Sequence, residues 1–60
     1  MEELLQKMYA EMEAVKTNAQ LQHEHGNKAA GMRARKASLN LEKLLKEFRK
    51  ASLAASNAGK

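Results

Sequence analysis

Two apolar stripes at helical spacing run through the chain, and the pair Gly26-Asn27 parts them. In the first stripe Leu5, Met8, Met12, Val15 and Ala19 step by three and four, and Met1, Leu4 and Tyr9 widen it. In the second, Ala30, Ala34, Ala37, Leu41, Leu44, Phe48, Ala51 and Ala55 do the same, with Leu45 alongside. Both are patterns of helices with one core-facing side. Glycine suits the left-handed residue that ends a helix, and asparagine suits the cap that starts the next. The spacing therefore predicts one helix over about residues 2–25 and a second over about 28–56, with fraying toward Asn57-Ala58-Gly59-Lys60.

A turn of two residues forces the helices antiparallel. Ala19 is then expected opposite Ala34, Met12 near Leu41, and Leu5 near Phe48, so that small residues meet at the turn and large ones at the open end. Gly31 fits this scheme as a position where the helices approach closely. The expected fold class is all-α, an antiparallel two-helix hairpin forming a single domain over residues 1–60.

A core in 60 residues rarely supplies more than about 3–5 kcal/mol, and domains of this size usually rely on a staple. The chain has no cysteine, which removes disulfides and thiolate metal sites and fits a reducing compartment. Self-association is the staple that remains. A lone hairpin leaves one side of each stripe wet, whereas two hairpins in a four-helix bundle cover both. The expectation is a homodimer held by Leu5, Met8, Met12, Leu41, Leu44, Leu45 and Phe48. The amino-terminal run MEELLQKMYAEMEA begins acidic and never stays apolar for long, reading as neither a signal peptide nor a membrane span.

Charge is segregated along the chain. Before Gly26, five glutamates outnumber Lys7 and Lys16, giving −3; from Gly26 onward, nine cations face only Glu42 and Glu47, giving +7. At about 100° per residue, the side of the second helix opposite its apolar stripe carries Lys28, Arg35, Lys36, Lys43, Lys46 and Lys50, with Arg33 and Arg49 toward the flanks. A basic helix face is commonly no more than a solvated one, but few acids neutralise this one, and a polyanion is the partner it suits. Phosphate contacts of this kind ignore sequence and weaken steeply with salt. No zinc-finger spacing, short recognition helix or stacking aromatic pair accompanies them. Met32, Leu39 and Leu53 project from the middle of the cationic side. Scattered exposed apolar groups are ordinary; a second protein contact or an apolar wedge against DNA is the sharper reading.

The chemistry-bearing residues otherwise say little. His23 and His25 lie two apart, about 200° around a helix, and cannot share one ion as an i, i+4 pair does. His23 is expected near the edge of the apolar stripe and His25 in solvent beside the turn. Ser38, Ser52 and Ser56 have no acid–histidine partner, and Gly31 and Gly59 make no phosphate loop. The expectation is no catalysis, no metal, no cofactor and no small-molecule substrate.

The turn Gly26-Asn27-Lys28-Ala29-Ala30, the basic run Arg33-x-Arg35-Lys36-x-Ser38, then Leu41-Glu42-Lys43 and Phe48-Arg49-Lys50, follow one another over some 25 residues. This ordered run resembles the amino-terminal domain of the chlamydial-type linker-histone-like proteins, a family of bacterial nucleoid proteins. The first helix matches only by pattern. The resemblance implies binding and compaction of DNA in the cytoplasm, without catalysis. Joined to the basic face, it gives the first reading, a nucleoid protein on double-stranded DNA in which Lys28, Arg33, Arg35, Lys36, Lys43, Lys46, Arg49 and Lys50 would contact the phosphates. Longer chlamydial members carry a lysine- and alanine-rich carboxy-terminal tail that the resemblance credits with much of the affinity. With no such tail before Lys60, either the second helix binds DNA unaided, with oligomerisation multiplying weak contacts, or the short form mainly self-associates.

That last possibility defines a competing class, a helical self-association or protein-interaction module whose basic face docks an acidic partner. Its support is the absent tail and the stray Leu39 and Leu53. A basic amphipathic helix on anionic membranes is weaker, since the apolar stripe lacks tryptophan and is needed for the bundle. RNA phosphates would serve as well as those of DNA.

Overall fold

A computed structural model describes residues 1–58, and all of its secondary structure is helical. Helix α1 spans Glu2–His25 and α2 spans Lys28–Ala58. Helix α2 continues through Asn57 and Ala58, where fraying was expected, and Gly59 and Lys60 lie outside the described residues. The two helices lie against each other as a rod of 51 × 14 × 14 Å.

The junction follows from backbone chemistry. Gly26 adopts φ 62° and ψ 27°, the left-handed conformation that costs glycine little, and its N–H donates to the Gln22 carbonyl at 2.9 Å. Asn27 then caps α2, its Oδ1 accepting from the Ala30 N–H at 3.0 Å. At the other end of α1, Glu2 and Glu3 sit in the first turn, where carboxylates favour the positive end of the helix dipole.

Small residues line the seam near the turn. Ala30, Gly31, Ala34 and Ala37 are buried, and Ala30 has no exposed surface at all. A Cβ at Gly31 would fall 2.6–3.0 Å from the Gln22 side chain. The end of the Gln22 side chain thus lies directly over Gly31. Toward the open end Leu41, Leu44, Leu45, Phe48 and Ala51 of α2 are half-buried, as are Leu4 and Leu5 of α1. Met8, 6% exposed, is the one large side chain among the buried residues described.

The lateral placement of α1 differs from the expected stripe. Its half-buried positions run through Leu4, Leu5, Glu11, Ala14, Val15, Asn18 and Leu21, while Ala19 is exposed and Met12 is 39% exposed. The register explains the shift. Gln22 lies over Gly31 and Asn18 beside Arg33, and this rotation turns Glu11 and Asn18 into the seam in place of Met12 and Ala19. One partner helix covers only part of a stripe this wide. Met1, Tyr9 and Met12 remain as an apolar strip on one flank of the hairpin.

Candidate nucleic-acid interface

A helix that packs on one side by small and aliphatic residues presents its other side to solvent along its whole length. In α2 the buried and half-buried positions cluster around Ala30, Ala37, Leu41 and Phe48, and about 180° away lie Lys28, Lys43, Lys46 and Lys50. Arg35 and Lys36 border them. All eight predicted cations, Lys28, Arg33, Arg35, Lys36, Lys43, Lys46, Arg49 and Lys50, are exposed.

They are not equivalent. The Arg33 guanidinium turns away from the outer face and reaches across to α1, where its Nε donates to Asn18 Oδ1 at 2.8 Å. Asn18 is itself fixed, because its Nδ2 donates to the Ala14 carbonyl at 2.8 Å. Arg33 is therefore a strut between the helices at the flank of the site. Lys46 lies 3.8 Å from Glu42, one turn earlier, in a solvent-exposed pair that contributes little. Among the described residues no acid lies within ion-pair distance of Lys28, Arg35, Lys36, Lys43, Arg49 or Lys50.

Asn18 was hidden at the sequence level because its role depends on the helix register; an amide one turn from Val15 and from Leu21 was the only hint. An open groove of about 640 Å³ runs along one flank, lined by Lys7, Ala10, Glu11, Asn40, Lys43, Leu44 and Glu47. Its two lysines and two glutamates balance, so it offers no net attraction to an anion. His23 and His25 are both exposed, and His25 Nε2 lies 3.9 Å from Glu24. His23 thus stands farther from the seam than its expected place at the stripe edge. No helix among the described residues is long and apolar enough to cross a membrane.

The outer face is a run of cations on an elongated hairpin. The family model for Histone H1-like protein Hc1 matches residues 2–58. The chain belongs to this family. The match takes in α1 as well as α2, which the resemblance at sequence level covered only by pattern. Membership in a histone H1-like family indicates a DNA-binding nucleoid protein, with DNA as its partner. No curated protein and no solved structure matches the chain.

Proposed function

We infer that the protein is a sequence-nonspecific, non-catalytic DNA-binding component of the nucleoid, holding phosphates through the outer face of α2 and compacting DNA as a self-associated hairpin in the cytoplasm. The observation that carries this reading is the unpaired run of Lys28, Arg35, Lys36, Lys43, Arg49 and Lys50 on the solvent side of α2. Free surface ammonium and guanidinium groups release counterions from a duplex when they replace them at the phosphates. Each contact steepens the salt dependence of log K by about 0.9. Six contacts give a slope of about −5 against log salt. Mobility-shift and anisotropy titrations on two unrelated duplexes of matched thymine content should give equal affinities and that slope. A slope shallower than about −2, or no binding near 0.15 M salt, would leave an assembly module docking an acidic partner as the better account.

Self-association is part of the proposal because a lone hairpin this small leaves apolar surface wet. The strip of Met1, Tyr9 and Met12, next to half-buried Leu5 and Leu45, lies away from the cationic face and suits a second copy. Of the residues expected to hold the dimer, Met8 is spent inside the hairpin. Leu5, Met12, Leu41, Leu44, Leu45 and Phe48 retain surface for a partner. Met12→Glu should convert the oligomer to monomer in sedimentation and lower the melting temperature at high protein concentration, through lost mass-action stabilisation. A parent chain that is monomeric throughout, or a variant that associates as the parent does, would refute the dimer without touching the DNA reading.

A further inference from the structure

The pentapeptide Arg-Lys-Ala-Ser-Leu occurs twice in α2, at 35–39 and again at 49–53. Fourteen helical residues span about 21 Å and return to the same face within about 40°. Both copies therefore present the same chemistry on the same side. Leu39 is 61% exposed and Leu53 is 64% exposed, and Met32, seven residues before Leu39, is 65% exposed. These three large side chains stabilise nothing within the hairpin.

Met32, Leu39, Lys46 and Leu53 follow one another at intervals of seven and form a line down the outer side of α2. Lys36, Lys43 and Lys50 run along one edge of that line, and Lys28, Arg35 and Arg49 along the other, with Glu42 the one acid in the second row. The outer side is an apolar line between two cationic rows. Its complement is an apolar floor between two rows of anions. A second copy of the same face is excluded as the partner, since it would set cation against cation.

We propose that α2 lies with this face in the major groove of double-stranded DNA, Leu39 and Leu53 against the C5-methyl groups of thymine and the two cationic rows on the opposing phosphate backbones. The proposal rests on the DNA-binding reading above and adds the groove, the contact atoms and a base preference. A helix with its side chains is about 10–12 Å across. The major groove is about 12 Å wide and admits it, whereas the minor groove, at about 6 Å, does not. The thymine methyl is the apolar feature of the major-groove floor, and aliphatic side chains contact it. Helix α1 lies behind α2, on the far side from this face, and leaves the approach clear. The protein so placed binds any duplex through phosphates and binds thymine-rich tracts more tightly.

The test uses two duplexes of one sequence, the first with thymine and the second with deoxyuridine throughout, which differ only by the major-groove methyl. Each is titrated with the parent chain and with the Leu39→Ser/Leu53→Ser variant. The parent should bind the thymine duplex more tightly by about fourfold for each methyl covered. The variant should bind both duplexes alike and keep the parent's salt slope. Its helicity, read by circular dichroism, should match the parent's because both leucines are exposed. Equal affinity of the parent for the two duplexes, or undiminished discrimination by the variant, overturns the groove assignment and leaves DNA binding standing. A parent that binds neither duplex overturns both.

Discussion

Reversing Arg35, Lys36 and Lys43 to glutamate should abolish DNA retention at moderate salt while leaving the helical content unchanged. All three side chains are exposed, and none has an ion-pair partner among the described residues, so the folded hairpin loses nothing with them. The loss on DNA is large because contacts of this kind act together. At 0.1 M salt each phosphate contact is worth about 0.9 decades through counterion release, and three amount to roughly 500-fold before any repulsion is counted. The salt slope should fall by about 3, which separates lost phosphate contacts from a general loss of activity. The same exchange at Arg33 should act differently. That guanidinium is engaged with Asn18, so Arg33→Glu should cost stability as well as affinity. Retention of duplex DNA by the triple variant at the parent's affinity would show that the outer face of α2 is not the DNA site.

The turn and the basic face were legible in the sequence because each is set by local chemistry. Gly26 needs a positive φ, Asn27 needs only its own side chain and the next turn's N–H, and both do what their residue types favour. The cationic side of α2 was also readable, since its apolar stripe is narrow and leaves one direction for the lysines. The apolar side of α1 was not. Its stripe extends from Leu4 and Met8 round to Met12 and Tyr9, wider than one partner helix can cover. Which half is buried depends on how α2 approaches, and that is fixed from the other end, by Gly31 under Gln22 and Arg33 against Asn18. Glu11 and Asn18 entered the seam as polar residues that periodicity alone would have placed outside it. The strip left over on α1 is the surface assigned above to a second copy. The division of Met8 to the hairpin and Met12 to the exposed flank is a consequence of register rather than of hydrophobicity.

The register also locates the weakest point of the fold. Ala30→Leu/Ala34→Leu should unfold the hairpin, or lower its melting temperature by ten degrees or more. Both alanines are buried in the seam between the helices. At the neighbouring Gly31 a methyl would meet the end of the exposed Gln22 side chain, which can move aside. Leucine at either site must push α1 away, and overpacking of this sort costs about 1–3 kcal/mol per position. A core of this size supplies about 3–5 kcal/mol in total, so the two substitutions together consume most of it. In a domain of this length each kilocalorie moves the midpoint by about 4–8 °C. Leucine is nearly as good a helix former as alanine, so a loss of helicity would come from packing and not from propensity. Ala55→Leu, at an exposed position of the same helix, carries the same small change in propensity without a steric conflict and should leave the midpoint close to the parent's. Thermal melts followed by circular dichroism decide the matter. A double variant melting with the parent would mean that the helices do not approach closely at Ala30 and Ala34. The turn-proximal seam, and with it the rotation that aims the lysines of α2 outward, would then have to be redrawn.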